Sequence, residues 1–315
     1  MRATFIAALV ELAEADARIL LLTADLGYTI VESFADRFPG RFFNVGVAEQ
    51  NMIGVATGLA EAGFIPFVYS IVPFAVLRPY EFIRNGPILH RLQVRVVGVG
   101  GGMEYSTNGA THYGLEDVGL MRIQPETTVI APADRQQART ALLATWNLPG
   151  LVYYRLGKGD KTAIPGLDGR FALGRAQYIR HGTDLLVIAM GNMATVAVSA
   201  VEALAVHGVS CALLVVACVQ PAPTDDLVYA LSKFRAALSV EEHYVNGGIG
   251  SLVSEVIAEK GLSCRVMRCA VRTQPDGRTG SHPYVRQKYG LSSEALVRNA
   301  LELLGEIRSG AAGTA

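Results

Sequence analysis

Along the first half of the chain, segments with helical spacing of apolar residues alternate with short, continuous apolar runs. Residues 3–17, ATFIAALVELAEADA, have the spacing of a helix, and residues 18–27, RILLLTADLG, indicate a buried strand that ends in a turn. A helix to about Phe38 and another around Glu49 follow. Further strand candidates are FIPFVYSIV (64–72), QVRVVGVGGG (93–102), TTVIAPAD (127–134) and LVYYRL (151–156). Continuous apolar strands separated by helices predict a parallel sheet that is covered on both faces.

The same alternation restarts in the second half of the chain. Residues 157–169, GKGDKTAIPGLDG, are rich in glycine and charge and form the best linker candidate. Strand-like runs such as DLLVIAMG and VSCALLVVACV then alternate with helix-like segments such as MATVAVSAVEALAVHG. With 315 residues, the chain has the length of about two domains. We therefore predict two α/β domains, over residues 1–160 and 170–308, and a disordered tail over residues 309–315.

Composition narrows the class of protein. Half of the residues are hydrophobic and 18% are charged, and 28 basic residues balance 28 acidic ones, without a basic run that would favour nucleic acid. The apolar N-terminal stretch carries acidic residues, so it predicts neither a signal peptide nor a membrane span. The four cysteines form no CxxC pair and lie in apolar runs, which indicates free thiols in a reducing compartment. We expect a cytoplasmic protein with no membrane partner.

The segment VGVAEQNMIG places the carboxylate of Glu49 among small and apolar residues. An ionised carboxylate in such surroundings loses solvation unless a cation or a strong hydrogen bond compensates. The pattern leaves two interpretations open: a solvated residue in the first turn of a helix, or a buried acid with a chemical role.

Two other segments carry candidate chemistry. Residues 100–117, GGGMEYSTNGATHYGLED, form a polar, glycine-rich loop after a buried strand, the position at which parallel sheets place ligands, and His112 lies in it. By pattern alone, a solvated or structural histidine is the simpler interpretation. Phe74, in YSIVPFAVLRPYEFIRN, has the pattern of a core residue. Residues 247–251, GGIGS, fit either a phosphate-cradling turn or a tight strand-to-helix connection.

Taken together, these segments resemble the C-terminal half of the transketolase family of thiamine diphosphate enzymes. The stretch FADRFPGRFFNVGVAEQNMIGVATGLAEAGFIPFV is similar to its pyrimidine-binding domain, GATHYGLEDVGLMRIQPETTVIAPAD to its active-site loop, and VEEH with NGGIGS to its C-terminal domain. The resemblance covers about residues 1–308. It implies an α/β fold with a pyrimidine-binding domain followed by a transketolase C-terminal domain.

The resemblance implies a role for Glu49. In this family a buried glutamate hydrogen-bonds N1′ of the cofactor's aminopyrimidine and favours the imino tautomer that deprotonates the thiazolium. A carboxyl group in an apolar pocket has a raised pKa, so it can share a proton with a weakly basic ring nitrogen. Phe74 matches the aromatic residue that stacks on the pyrimidine. Asp25, in the ADLG turn, and Ile71, where the family has a second aromatic residue, complete the implied cofactor contacts.

The implied substrate contacts are His112, Asn108 and Arg155. His112 matches an active-site histidine, and Arg155 falls where family members hold a substrate phosphate, although a strand-end arginine can equally form a structural ion pair. Asn108 replaces an aspartate that recognises the donor hydroxyl, and Gly100 stands where transketolases carry a phosphate-contacting histidine. These departures predict a donor or acceptor other than an ordinary pentose phosphate.

The sequence contains no Gly-Asp-Gly motif with a downstream asparagine, the motif with which the family binds Mg²⁺ and the diphosphate. The resemblance therefore implies a split transketolase, in which a separate N-terminal subunit supplies that domain, and an α2β2 heterotetramer that acts on a sugar or sugar phosphate. The alternatives are the β subunit of a 2-oxoacid dehydrogenase, a fragment of a single-chain relative such as deoxyxylulose-phosphate synthase, and a non-catalytic paralogue.

Overall fold

The computed structural model describes residues 1–161 and 163–312 and contains two α/β domains. The strands of the first domain are β1 (Ile19–Thr23), β2 (Phe42–Asn44), β3 (Ile65–Ile71), β4 (Arg95–Val99), β5 (Thr128–Ile130) and β6 (Val152–Leu156). Its helices are α1 (Arg2–Ala15), α2 (Glu32–Arg37), α3 (Glu49–Glu61), α4 (Tyr80–Ile83), α5 (Asp117–Arg122) and α6 (Arg135–Thr145).

The second domain has its own sheet. Its strands are β7 (Gln177–Arg180), β8 (Leu185–Met190), β9 (Cys211–Val216), β11 (Ala236–Tyr244) and β12 (Arg265–Val271), and β10 (Cys218–Gln220) lies between β9 and β11 in sequence. Its helices are α7 (Met193–Val206), α8 (Thr224–Leu231), α9 (Ile249–Lys260), α10 (His282–Lys288) and α11 (Ser293–Ala312).

The predicted parallel sheets are confirmed. Within the described residues, the first sheet has the strand order β10-β5-β6-β4-β3-β1-β2, and its strands β1 to β6 pair in parallel. The second sheet has the order β12-β11-β8-β9-β7, with only β7 antiparallel among its described strands. Strands β1, β4 and β6 are buried at every position, as expected when helices cover both faces.

One strand prediction differs from the structure. The run VSCALLVVACV reads as a single strand, but it divides at Ala217 into β9, in the second sheet, and β10, which pairs antiparallel with β5 of the first sheet. Apolar content does not reveal the division because both pieces are buried. A strand from the second half of the chain, β10, thus forms one edge of the sheet of the first domain.

The two domains also share a core. One continuous cluster of buried side chains includes Val129 of the first domain and Ile188 and Val216 of the second. Because these buried side chains form one cluster, the two domains pack against each other across their boundary.

Helix α11 runs to Ala312, so residues 309–312 of the tail predicted to be disordered are helical, and residues 313–315 lie outside the described residues. The four cysteines are free and buried, as predicted. No described helix combines the length and apolar character needed to cross a membrane.

Candidate active site

The candidate residues gather at one edge of the first sheet. Strands β1, β2, β3 and β4 are parallel, so the segments that follow them emerge at the same edge. Glu49 follows β2, Phe74 follows β3, and the loop between β4 and α5 (residues 100–116, the β4–α5 loop) carries His112. Topology alone therefore brings together residues that are far apart in sequence.

Glu49 is a buried acid. It begins α3, and only 1% of its surface is exposed. Of the two interpretations left open by the pattern, the structure shows burial and not a solvated helix turn.

Arg78 supplies the cation that a buried carboxylate requires. Its Nη1 donates a hydrogen bond of 2.5 Å to Oε2 of Glu49, while 38% of the Arg78 side chain is exposed. The guanidinium carbon also lies 4.5 Å from the centre of the Phe74 ring, a cation–π contact. Sequence reasoning did not select Arg78, although the requirement for a compensating cation beside Glu49 is a signal that directs the search to nearby arginines.

Phe74 and His112 are in contact. Their ring centres lie 5.2 Å apart at an interplanar angle of 75°, an edge-to-face arrangement. Nδ1 of His112 is 3.0 Å from the hydroxyl of Thr111, and the centres of the His112 and Tyr105 rings are 6.1 Å apart. Glu49, Arg78, Phe74 and His112 thus form a row of consecutive contacts.

The remaining predicted residues lie at the same edge but outside this row. Asp25 has a left-handed backbone (φ 53°) and exchanges two hydrogen bonds of 3.0 Å with the side chain of Asn44. Ile71 ends β3, three residues before Phe74, and is half-buried. Asn108 is exposed in the β4–α5 loop. No hydrogen bond among the described residues joins these three side chains to Glu49 or His112.

Arg155 lies in a different environment. Its Nε donates to Oδ2 of Asp117 at 2.8 Å, and its Nη2 donates to the backbone oxygens of Gly114 and Glu242. The hydroxyl of Tyr153 donates to the same oxygen of Asp117 at 2.6 Å. Burial alone would lower the pKa of Arg155, but Asp117 outweighs this effect and raises it. The structure shows the structural ion pair, and this 4% exposed side chain does not present a free guanidinium for a phosphate.

The glycine-rich segment 247–251 is a helix connection. Both carboxylate oxygens of the buried Glu241 accept hydrogen bonds from the N–H groups of Ile249 and Gly250, at 2.8 and 2.9 Å. These are the groups that would cradle a phosphate at the start of α9. The chain therefore caps this helix with its own carboxylate, and the tight connection is the correct interpretation.

The row of contacts fits the pyrimidine end of a cofactor. Phe74 is half-exposed and offers an aromatic face, and the hydrogen bond to Arg78 is the one that the side chain of Glu49 makes among the described residues. Within residues 1–161 and 163–312, no group of three His, Cys, Asp or Glu side chains is placed to bind a metal ion.

Both domains of the chain match families of known proteins. Residues 1–161 match the family model of the transketolase pyrimidine-binding domain, and residues 174–296 match that of the transketolase C-terminal domain. The chain is 37% identical over 306 residues to a 6-deoxy-6-sulfo-D-fructose transketolase subunit of Clostridium sp. (strain MSTE9), covering 96% of this chain and 94% of that one. It is 31% identical to an apulose-4-phosphate transketolase subunit of Phocaeicola vulgatus, covering 96% and 97%. Among solved structures, a split gene transketolase described as an inactive β4 tetramer superposes with a TM-score of 0.87 at 35% identity, covering 96% and 98%.

Proposed function

Because the chain belongs to the transketolase family, we propose that it is the C-terminal, pyrimidine-binding subunit of a two-component transketolase. The complete enzyme transfers a two-carbon ketol unit from a ketose donor to an aldehyde acceptor, with thiamine diphosphate as cofactor. The observation that carries the proposal is the buried carboxylate of Glu49 in a row with Phe74 and His112. The near-complete overlap with relatives that are themselves named as subunits supports the two-component form.

Each residue of the row has a role in this proposal. Glu49 holds the pyrimidine nitrogen and shares a proton with it, Phe74 provides the stacking surface, and His112 binds substrate. Arg78 holds and orients Glu49. When bound, thiamine diphosphate supplies the electron sink that cleavage of a ketose carbon–carbon bond requires. Asp25 and Ile71 line the cofactor side, and Asn108 the substrate side.

Mg²⁺ and the diphosphate belong to the partner subunit in this proposal. Oxygen ligands in octahedral geometry are needed for Mg²⁺, and the partner's Gly-Asp-Gly motif would provide them. The active site then lies between subunits, and an α2β2 heterotetramer is the simplest assembly. The split gene relative is described as inactive when it is a tetramer of four beta subunits, which supports the proposal that activity requires a partner subunit. A cytoplasmic location remains our prediction from the free cysteines.

The donor is an anionic ketose other than xylulose 5-phosphate. Asn108 and Gly100 replace the aspartate and the histidine expected for ordinary transketolases, and Arg155 is held by Asp117. The relatives are named for a sulfonated fructose and for apulose 4-phosphate. Both sugars carry an anionic group, which supports this substrate class.

Reconstitution tests the proposal. Mixing this chain with its N-terminal partner, thiamine diphosphate and Mg²⁺ should give ketol transfer from one member of a panel of sulfonated and phosphorylated ketoses, whereas the isolated chain should be inactive. Glu49→Gln should nearly abolish turnover with folding intact, because it removes the proton-sharing carboxyl group without changing shape. Activity within about tenfold of wild type would disprove the role of Glu49. Tight Mg²⁺-dependent binding of thiamine diphosphate to this chain alone, measured by calorimetry, would disprove the two-component assignment.

A further inference from the structure

A second buried carboxylate, Glu242 on β11, lies at the boundary between the domains. Its Oε1 accepts hydrogen bonds from the backbone N–H of Met103 at 2.9 Å and from Nε2 of His282 at 2.6 Å. Its Oε2 accepts two from Arg286, at 3.0 and 2.6 Å. Burial alone would raise the pKa of Glu242, but Arg286 and His282 together lower it to about 2. The carboxylate is therefore charged at neutral pH.

Met103 lies in the β4–α5 loop, which also carries Asn108 and His112. The two ends of this loop are joined by a pair of backbone hydrogen bonds between Gly102 and Gly114, each 2.8 Å long. A Cβ atom on Gly102 would lie 2.5 Å from Cγ of Glu242, so glycine is required for the loop to approach this carboxylate. Glu242 thus fixes the position at which the loop closes on itself.

The second domain also contacts the tip of the loop. A Cβ atom on Gly109 would lie 3.2 Å from Cγ2 of Thr279, which precedes α10 by three residues. Helix α10 begins at His282 and includes Arg286, the two cationic partners of Glu242. One continuous stretch of the second domain therefore does both: Thr279 lies against the tip of the loop, and His282 and Arg286 hold the carboxylate that binds its first residues.

We propose that Glu242 is a positioning residue, which with His282 and Arg286 clamps the β4–α5 loop and so fixes the place of His112 for donor binding. Glu242 acts through the backbone of Met103 and touches neither cofactor nor substrate. The second domain thereby sets the geometry of a site whose residues belong to the first. The part of this inference that concerns the donor rests on the proposed function.

The variant Glu242→Gln tests the clamp. A neutral amide has one acceptor oxygen and one NH₂ donor, so it cannot accept from both Met103 and Arg286; one contact becomes donor against donor. The matched control is Arg175→Gln, which removes another two-bond arginine–carboxylate pair, that of Arg175 with Asp226 (2.8 Å each), on helix α8 and away from the loop.

Two measurements follow. In the isolated chain, amide hydrogen exchange over residues 100–116 should accelerate about tenfold to a hundredfold in Glu242→Gln, the range expected for losing a hydrogen bond to a charged group, and should not change in the control. In the reconstituted enzyme, kcat/KM for the ketose donor should fall by about tenfold or more, while the affinity for thiamine diphosphate stays within about twofold. That split separates positioning from a general loss of stability.

The outcomes decide between roles. Unchanged loop exchange in a folded Glu242→Gln chain overturns the clamp, and so does a lowered melting temperature with unchanged donor kcat/KM. If Glu242→Gln does not fold by circular dichroism, His282→Leu, which has no side-chain donor and so removes one bond to Glu242 while keeping the Arg286 pair, takes its place with the same criteria. If wild-type enzyme shows no ketol transfer, the proposed function fails, and the exchange measurement alone still decides whether Glu242 holds the loop.

Discussion

The two members of the Glu49–Arg78 ion pair differ in burial. We therefore predict that removing one of them destabilises the fold more than removing the other. Glu49 is 1% exposed, whereas 38% of the Arg78 side chain is exposed. Arg78→Met leaves the carboxylate buried without its cation. Glu49→Gln leaves a guanidinium that can turn towards water and still donate to the amide oxygen. We therefore expect Arg78→Met to destabilise the isolated chain more than Glu49→Gln does.

The difference in unfolding free energy between the two variants can be estimated from the burial of each group. Two unit charges about 4 Å apart attract by about 4 kcal/mol at an effective dielectric constant of about 20, which is comparable to the several kcal/mol lost on desolvating a carboxylate. Removing the partner of a buried charge costs about 3 kcal/mol or more, whereas an exposed ion pair contributes about 1 kcal/mol or less. Arg78→Met should thus lower the unfolding free energy by about 2 kcal/mol more than Glu49→Gln.

The chain offers a selective probe for this measurement. Its single tryptophan, Trp146, follows α6 and packs against the core of the first domain, so its fluorescence during urea denaturation at pH 7 reports on the domain that holds the pair. The control is Arg37→Met, which removes an exposed pair with Glu14 and should change stability by about 0.5 kcal/mol or less. Equal costs for the two variants, or a larger cost for Glu49→Gln, would refute the reasoning.

Two further predictions concern the other buried charges. Arg155→Met should lower the unfolding free energy by about 3 kcal/mol, because it strands the buried Asp117; unchanged thermal stability with a raised donor KM would instead indicate a phosphate-binding role. Burial alone would raise the pKa of Glu242, but Arg286 and His282 outweigh it and lower the pKa from 4.5 to about 2. The contribution of the charged Glu242 to folding stability is therefore fully present above pH 4.5 and is lost as the pH falls towards 2. The gap in urea stability between wild type and Glu242→Gln should shrink by about 3 kcal/mol between pH 7 and pH 2, and a gap independent of pH would contradict this assignment.

Sequence reasoning reached much of the fold because the signals are local. Continuous apolar runs separated by helices predicted the parallel sheets, and the place of the β4–α5 loop after a buried strand predicted that this loop lies at the sheet edge where such folds bind ligands. Periodicity did not detect the division of one apolar run into β9 and β10, because a buried strand has the same composition in either sheet.

The partners of the buried charges could not be predicted, because they lie far apart along the sequence. The sequence indicated that a buried Glu49 needs a cation or a strong hydrogen bond but did not say which group supplies it, and Arg78 lies 29 positions away. It left two roles open for Arg155, and only packing against Asp117 decided between them.

By itself, then, the sequence determined the class of fold and the order of the domains, and it left open whether the carboxylate of Glu49 is buried. Tertiary structure alone decided which cation holds that carboxylate, that Arg155 is committed to an ion pair, and that Glu242 reaches 139 residues back to Met103 to hold the loop of His112. The physical reason is that apolar periodicity depends on neighbouring residues, whereas the partner of a buried charge is the group that lies close to it in the folded chain.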